Sequence, residues 1–408
     1  MLDVKQIRED FPPLSVIRNN KPIVYLDSAC MSLKPKIVFN ALREYYEEHT
    51  ACGGRSHHYF GLVTTRKVQK AREKVAKLIN AEDPDECVWV RNATEAINYV
   101  ANGLSYEERN IVISEDSAHN SNLVPWLHLQ ERGTIKHQLL NVDLNGKIDL
   151  DELSALLSNK TRIVSLGHIS NVLGSHIPAR EIISMAHDHG AYVLLDAAQS
   201  FPHQKIDVRK LDVDFIAFSM HKACGPSLGV LYGKKTLLED LDQTLVGGET
   251  VVDVFRDRVV YAKSPERFEA GLQNYAGIIA AGAAIDYLDN IGMDLIEEHE
   301  KNLSQRLVKG IEDLSFPSLR LLGSSNPNER CALVSLDLGG DVNPHEVSMM
   351  LEESANLFLR AGFHCTHAFH HKHGLENGTL RPSFYLYNSE DEVLLFLETL
   401  EEILSVLT

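Results

Sequence analysis

Two polar side chains that could do chemistry together follow two apolar, strand-like runs. The run 191–195 ends at Asp196, and the run 215–218 is followed by a short polar string that ends in Lys222. Ligands bind beyond the carboxyl ends of strands in open α/β sheets, so we expect both side chains to share one crevice. Alone, each would be an ordinary surface residue. Together, an acid that can protonate a ring nitrogen and a lysine that can form an imine match the needs of pyridoxal 5'-phosphate.

The elements that must position this pair alternate between strand and helix over residues 85–235. This alternation predicts an α/β fold with a mainly parallel sheet flanked by helices. The predicted strands are 87–91, 110–114, 135–140, 161–166, 191–195, 215–218 and 229–233, and the predicted helices between them are 92–103, 150–157 and 179–189. Before this region we expect a strand-like run at 23–29, helices at 36–46 and 65–80, and an exposed polar loop at 53–59.

The C-terminal part of the chain predicts a small α+β lobe. Helices at 275–291 and 295–314 lead into strands at 331–338, 357–360 and 379–387, with further helices at 344–353 and 390–407. A chain of 408 residues is longer than one hydrophobic core usually supports. We therefore expect a large cofactor-binding domain at 21–290 and a small domain built from 1–20 and 291–408.

Composition limits the class of protein. With 44% hydrophobic and 24% charged residues, the chain is ordinary for a globular protein, and its formal charge of −17 disfavours a nucleic-acid partner. The six cysteines lie far apart without a CxxC pair, which favours a reducing cytoplasm over a disulfide framework. We find no signal-peptide pattern and no apolar run that could span a bilayer, so we expect a cytoplasmic protein without a membrane partner.

The residues around the lysine also carry a family resemblance. An Asp-x-x-Gln pair followed by Ser-x-His-Lys is matched by Asp196, Gln199, Ser219, His221 and Lys222. The segment resembles the aminotransferase class V branch of fold type I pyridoxal phosphate enzymes, and is most similar to Suf-type (group II) cysteine desulfurases and selenocysteine lyases. The resemblance implies that these five residues bind the cofactor and that Lys222 holds it and moves the substrate α-proton.

Three further strand ends match cofactor contacts of that family. Thr94 opens a helix after a strand, where free N–H groups favour phosphate, although helix capping alone would also explain it. The family has two threonines at this turn, and Ala93 replaces one of them. His119 matches a catalytic histidine that stacks on the cofactor ring, and Asn171 matches an asparagine that bonds its phenolic oxygen. A polar loop and simple turn chemistry are the respective alternatives.

The substrate-binding and sulfur-accepting residues are also assigned by resemblance. The string that contains Cys365 matches the family's sulfur-accepting cysteine, and Arg381 matches the arginine that clamps the substrate carboxylate. Arg360, Asn171 and Ala29 are further substrate-binding candidates. Cys365 is surrounded by the polar residues Thr366, His367, His370, His371, Lys372 and His373, so we expect it to be exposed. Cations such as Arg360, His364 or His367 are expected to favour its thiolate.

These assignments imply a cysteine desulfurase that converts L-cysteine to L-alanine. The sulfur would pass to Cys365 as a persulfide, for delivery to an acceptor or scaffold protein in iron–sulfur cluster or other thio-cofactor assembly. The resemblance also implies a homodimer in which the loop 53–59 and the string 267–273 meet the partner. The family offers a threonine from that string to the partner's cofactor phosphate, whereas this chain has Leu272 and Gln273 there.

Several alternatives remain open at this stage. A selenocysteine lyase, or another class V lyase or epimerase, would use the same scaffold. A catalytically retired scaffold partner is a second possibility, which the intact Lys222, Asp196 and Arg381 oppose. The scaffold alternative is supported by five departures from the family pattern, at Ala93, Met220, Leu272, Phe363 and Pro382. Zinc capture by Cys365 with His367 or His370 is a third idea, although we assign no metal ligands because nearness in sequence does not make a site.

Overall fold

The computed structural model describes residues 2–340 and 342–407. Within them the α-helices are α1 (Val4–Glu9), α2 (Lys36–Glu48), α3 (Tyr59–Leu78), α4 (Ala93–Gly103), α5 (Asn120–Glu131), α6 (Leu150–Leu156), α7 (Ala179–Asp188), α8 (Val208–Leu211), α9 (Lys235–Asp240), α10 (Tyr275–Ile291), α11 (Met293–Asp313), α12 (Pro344–Ala355), α13 (His367–Lys372) and α14 (Glu390–Leu407).

The strands begin with three short segments before the main sheet. They are β1 (Ile17–Arg18), β2 (Lys21–Pro22), β3 (Val24–Tyr25), β4 (Cys87–Val90), β5 (Ile111–Glu115), β6 (Lys136–Leu140), β7 (Thr161–Gly167), β8 (Tyr192–Asp196), β9 (Phe215–Ser219), β10 (Gly229–Gly233), β11 (Val251–Val254), β12 (Val259–Tyr261), β13 (Arg320–Leu322), β14 (Ser335–Asp337), β15 (Leu357–Phe358), β16 (Arg360–Gly362) and β17 (Thr379–Arg381).

A seven-stranded sheet forms the centre of the molecule, in the order β4-β10-β9-β8-β7-β5-β6. The four pairs from β9 to β6 are parallel, and β10 runs antiparallel to both of its neighbours. The predicted α/β fold with a mainly parallel sheet flanked by helices is therefore confirmed. The parallel arrangement places the carboxyl ends of β5, β7, β8 and β9 at one edge.

Helices cover both faces of this sheet, and alternate strand residues point to opposite sides. In β9, Ile216 and Phe218 pack in the core formed with α2, α3, α7 and α10. Phe215 and Ala217 pack in a second core formed with α4 and α5. Burial on both faces explains why these strands are continuous apolar runs in the sequence. The strand ends are consequently fixed in position on two sides.

The small lobe is a second layer with its own core. Its antiparallel sheet has the order β13-β14-β17-β16, and α11, α12 and α14 pack against it. The N-terminal segment contacts both units, because Ile7, Phe11 and Leu14 lie in the main core whereas Val24 in β3 pairs with Leu357 of the small lobe. The division into 21–290 and 1–20 plus 291–408 stays a prediction.

Several predicted element boundaries are wrong. The strands expected at 331–338 and 379–387 contain only β14 and β17. Beyond β17 the ladder is reduced to isolated bridges, since Pro382 has no N–H to donate and Ser383 bridges Leu333 and Asp27. Tyr385 and Tyr387 then pack into the main core. The loop expected at 53–59 ends earlier, since His58 caps α3 through Nδ1, which accepts the Gly61 N–H at 3.3 Å. Gly53 in this loop is buried, and Gly54, Arg55, His57 and His58 are exposed. The β11–β12 hairpin and β13 were not predicted.

No helix within the described ranges is both long and apolar enough to cross a membrane.

A close approach between β10 and α4 gives a stability prediction. A Cβ on Gly229 would lie 2.6 Å from backbone atoms of Asn92, which begins the turn into α4. We expect Gly229→Ala to shift that turn and to lower the free energy of unfolding by about 1–3 kcal/mol. The matched control is Gly248→Ala, because a Cβ there meets nothing within 4 Å. Thermal unfolding of both variants tests this, and equal melting temperatures would contradict it.

Candidate active site

A cavity of about 300 Å³ lies at the carboxyl edge of the sheet, between the two lobes. Its volume is at the lower end of the range for small-molecule sites, roughly 300–1,000 Å³. Every residue assigned to the site from the sequence lines it: Ala29, Ala93, Thr94, His119, Asn171, Asp196, Gln199, Ser219, His221, Lys222, Arg360, Cys365 and Arg381. The structure thus brings together residues from six strand ends and both lobes. Their individual roles stay predictions.

Asp196 and Lys222 both line the cavity and interact through their opposite charges. Asp196 ends β8, and burial raises the pKa of its carboxyl, opposed by the Ala198 N–H that donates to Oδ1 at 3.0 Å and by the Lys222 charge. Lys222 ends the short 3₁₀ turn after β9. Burial lowers the pKa of its amine to about 8, although Asp196 opposes that shift. Lys222 is therefore poised to lose its proton near neutral pH.

Two of the histidines that line the cavity, His119 and His221, are neutral. Burial, followed by the Lys222 and Arg381 charges, lowers the pKa of His119 to about 3. Its Nδ1 accepts the Ser121 N–H at 3.1 Å and so caps α5. Burial likewise lowers the pKa of His221 to about 4. A neutral imidazole held at a fixed angle suits stacking on an aromatic ring.

The N-terminus of α4 provides an anion site at one end of the cavity. Its cap is Asn92, whose Oδ1 accepts the Glu95 N–H at 3.0 Å, so the capping alternative for Thr94 is wrong. The Thr94 hydroxyl instead bonds the Ser121 hydroxyl at 2.7 Å. The Ala93 N–H donates to Ser219 Oγ at 2.9 Å. Hydroxyls gathered at a helix N-terminus match the needs of a phosphate group.

Two amide side chains connect the large domain to other parts of the cavity wall. Gln199 Nε2 donates to the Ala29 carbonyl at 2.8 Å, while its buried Oε1 has no partner among the described residues. Asn171 Nδ2 donates to the His364 carbonyl at 2.8 Å. The Ala29 N–H donates to Ser383 Oγ at 2.9 Å, so both backbone groups of Ala29 are already bonded.

The small lobe contributes two arginines from neighbouring strands. Arg381 on β17 is only 3% exposed and donates from Nη1 to the Asn171 carbonyl at 2.9 Å. Its Nε has no partner within the described part of the chain. Arg360 on β16 lies directly opposite it in the antiparallel ladder and is more exposed. Two guanidinium groups therefore face a cavity that Lys222 also lines.

Cys365 is exposed, as predicted, and lies in the loop between β16 and α13 with a positive φ of 60°. Two hydrogen bonds anchor this loop to the large domain. The Cys365 carbonyl accepts the Asn120 N–H at 2.7 Å, and the preceding carbonyl of His364 accepts from Asn171. The thiol is therefore held beside the cavity by the ends of β5 and β7.

One expectation about the neighbours of Cys365 is wrong. His364 is buried and its Nε2 lies 3.0 Å from Thr379 Oγ1. Burial lowers the pKa of His364 well below its usual value, so it is neutral and cannot favour the thiolate as a cation. Thr366 and His370 are also buried. The exposure of Cys365 comes from its loop and not from a uniformly exposed tract.

The zinc idea gains no support from the geometry. Within residues 2–340 and 342–407, no three His, Cys, Asp or Glu side chains are grouped so that they could hold a metal ion. His370 Nδ1 instead lies 2.9 Å from the Thr366 carbonyl.

The sequence reasoning missed several residues that line the cavity. These are Cys30, Asn92, Ser121, Ile169, Ala198 and His364. Most of them are immediate neighbours of residues that were assigned, so sequence adjacency to a strand end was the available signal. Cys30 places a second thiol in the cavity wall.

Comparisons with known proteins agree with this geometry. The family model described as "Aminotransferase class-V" matches residues 24–396. A probable cysteine desulfurase of Streptomyces coelicolor is 40% identical over 99% of this chain and 97% of its own length. A probable cysteine desulfurase of Synechocystis is 40% identical over 97% of this chain and 94% of its own length. The chain belongs to the aminotransferase class V family.

Solved structures share the fold over the whole chain. The apo cysteine desulfurase from Thermococcus onnurineus NA1 superimposes with a TM-score of 0.92 at 33% identity, covering 100% of this chain and 99% of that one. The cysteine desulfurase CsdA from Escherichia coli, in an S-sulfonic acid form, superimposes with a TM-score of 0.89 at 33% identity, with the same coverage.

The residues present fit pyridoxal phosphate. Asp196 would hold the ring nitrogen, and neutral His119 would lie on the ring. Gln199 offers a buried oxygen that has no hydrogen-bond partner in the described part of the chain. Thr94 and Ser219 would hold the phosphate at the N-terminus of α4. When bound, this cofactor supplies an electron sink that stabilises negative charge at the substrate Cα.

The lowered pKa of Lys222 predicts how the cofactor-free protein captures pyridoxal phosphate. Only the neutral amine attacks the cofactor aldehyde, so the attachment rate should rise with pH and level off above about 8. The measurement is the rate at which the visible absorbance of the attached cofactor appears between pH 6 and 10. This range extends roughly two pH units on either side of the pKa. A midpoint near the ordinary lysine value of 10.5 would contradict the burial argument.

Lys34 is the matched control for that experiment. Burial lowers its pKa also to about 8, but its amine bonds the carbonyls of Ser32 and His221. Lys222→Ala should abolish the covalent attachment, whereas Lys34→Ala should keep it. Borohydride reduction and peptide mapping should find the label on Lys222, and a label on Lys34 would show that a low pKa alone selects the site.

Proposed function

We propose that this chain is a pyridoxal phosphate-dependent cysteine desulfurase, which converts L-cysteine to L-alanine and receives the sulfur on Cys365. The observation that carries the proposal is that one cavity is lined by Lys222, Arg381 and the Cys365 thiol. A lysine and an arginine serve any amino-acid substrate of such a cofactor, whereas a tethered thiol is specific to sulfur transfer. The names of the relatives support the same activity.

Three residues of this chain have separate roles in the proposed reaction. Arg381 binds the substrate carboxylate, since a guanidinium group accepts a carboxylate in a two-pronged arrangement. Lys222, as a neutral amine, takes the proton from Cα and later returns a proton to the carbon skeleton. Cys365 attacks the substrate sulfur as a thiolate, so that an S–S bond forms while the C–S bond breaks and its electron pair stays with the carbon. The products are L-alanine and a persulfide on Cys365.

The acceptor of that persulfide is proposed to be a second protein. Cys365 is exposed, so an acceptor thiol can approach it without unfolding the small lobe. All six cysteines are free, which suits the reducing cytoplasm that we propose as the site of action. Delivery to iron–sulfur cluster or other thio-cofactor assembly fits this arrangement.

We also propose a homodimer. The β11–β12 hairpin exposes apolar side chains that a monomer would leave in water, including Val252, Val254 and Val260. Leu272, in the string expected to meet the partner, is 73% exposed. Arg55 of the loop 53–59 pairs with Glu249 near the same hairpin, at 3.2 Å. Contiguous apolar exposure of this kind marks an association surface.

The function is tested by sulfide release from L-cysteine. The wild-type holoenzyme should form L-alanine and, with a thiol reductant present, sulfide. Cys365→Ala should lose sulfide release by about a hundredfold or more, because the nucleophile is gone while the cofactor and carboxylate sites remain. Its affinity for L-alanine should be unchanged. Cys52→Ala, at another exposed cysteine, is the matched control and should behave as wild type.

Two results would contradict the proposal. If Cys365→Ala released sulfide at the wild-type rate, the persulfide mechanism would be wrong and a general class V lyase would replace it. If the wild type acted on L-selenocysteine but not on L-cysteine, selenium chemistry would be its function.

The dimer is tested by sedimentation velocity. A double Val252→Glu and Val254→Glu variant places two charges on the exposed face of the hairpin, so it should sediment as a monomer when the wild type is a dimer. Val406→Glu is the matched control, since this valine is 80% exposed on α14 and lies outside the proposed contact. A wild-type monomer at all concentrations, or a double variant that stays dimeric, would rule out the proposed surface.

A further inference from the structure

The two arginines of the cavity form an unfavourable cross-strand pair. Arg360 and Arg381 are direct partners in the antiparallel ladder of β16 and β17. Like charges at directly opposed positions destabilise a sheet. Here the repulsion is increased because Arg381 is buried, so that water screens its charge poorly. Something else in the structure must offset these two charges.

Asp27 lies between the two guanidinium groups. It follows β3, in the N-terminal segment, and forms an isolated bridge with Ser383, two residues after Arg381. One carboxylate oxygen is 3.5 Å from Arg360 Nη2, and the other is 3.6 Å from Arg381 Nη2. A single carboxylate therefore contacts both arginines, one through each oxygen.

The lengths of these contacts indicate that Asp27 balances the charge of the two arginines without accepting hydrogen bonds from them. The distances exceed those of direct hydrogen bonds, and Asp27 Oδ1 makes no hydrogen bond among the described residues. Arg381 Nε also has no partner there. Asp27 is not among the residues that line the cavity, whereas both arginines are. Arg381 Nη1 donates to the Asn171 carbonyl, whereas Nε is left without an acceptor among the described residues and can donate to a substrate carboxylate.

Charge effects on the titrating groups agree with this arrangement. Burial lowers the pKa of Arg381, the Asp27 charge opposes that shift, and the Arg360 charge adds to it. Burial raises the pKa of Asp27 itself, and the two arginines oppose that shift. The three groups together carry a net charge of one, which a single substrate carboxylate neutralises.

We infer that Asp27 is a positioning residue, which holds Arg360 and Arg381 side by side so that they present one fork to the substrate carboxylate. This inference rests on the proposed function, because it assigns Arg381 to carboxylate binding. Without the Asp27 charge the two guanidinium groups repel each other and turn apart, so the fork is lost although both arginines remain.

The test compares two ligands of the holoenzyme that differ only in the carboxylate. L-Alanine has the amine and the carboxylate, and aminoethane has the amine alone. Spectral titration gives the dissociation constant of each. Asp27→Asn should weaken L-alanine about tenfold, the effect expected when a charge-assisted contact is lost, and should leave aminoethane unchanged. A general structural defect would weaken both ligands alike.

Two further variants complete the experiment. Asp27→Glu keeps the charge and should retain most of the preference for L-alanine. Asp337→Asn is the matched control, because this aspartate pairs with Arg320 on the small-lobe sheet away from the cavity. If Asp27→Asn fails to fold, as judged by its melting temperature, Asp27→Ser takes its place, since it also removes the charge and has a small side chain.

The outcomes separate this inference from the proposed function. A wild type that binds aminoethane as tightly as L-alanine overturns both. If the wild type binds L-alanine more tightly than aminoethane and the Asp27→Asn variant shows the same preference, the inference alone is overturned. Tighter binding of L-alanine by Asp27→Asn also overturns it, because Asp27 would then compete with the substrate for the arginines.

Discussion

Desolvation of one lysine amine is the constraint on which the site depends. Lys222 lies beyond β9, where helices on both faces of the sheet exclude water, and this burial lowers its pKa to about 8. Asp196, at the end of the neighbouring strand β8, limits the shift. Because burial and the Asp196 charge oppose each other, the amine can react in its neutral form and can return a proton in its protonated form. The parallel sheet is what brings the two groups together.

The small lobe completes the site through a few long-range contacts. Asn171 bonds the carbonyl of His364, and its own carbonyl accepts from Arg381. The Cys365 carbonyl accepts from Asn120. Each contact joins a strand end of the large domain to the lobe that carries the thiol or an arginine. The groups proposed to accept sulfur and to bind the carboxylate are therefore positioned by the ends of β5 and β7, at the same edge of the sheet as the lysine.

Sequence reasoning predicted the parts of this structure that depend on local pattern. The sheet, its flanking helices and the cavity residues follow strand ends that apolar runs make visible, and the resemblance assigned the small-lobe motifs. Sequence reasoning failed where contacts between residues far apart in the chain determine the structure. Neither the burial of His364 against Thr379 nor the contact of Asp27 with two arginines more than 300 positions away has a local signal. Residue type alone did not decide which side chain caps α4, because both asparagine and threonine are common caps, and the structure has Asn92 there.

The most direct test of the account is to locate the sulfur after one turnover. The holoenzyme is mixed with one equivalent of L-cysteine without reductant, alkylated and mapped by mass spectrometry. The account predicts one extra sulfur atom on Cys365 and a matching amount of L-alanine. Sulfur on Cys30, the other thiol in the cavity wall, or alanine formed without protein-bound sulfur, would contradict the claim that Lys222 and Cys365 act together in this cavity.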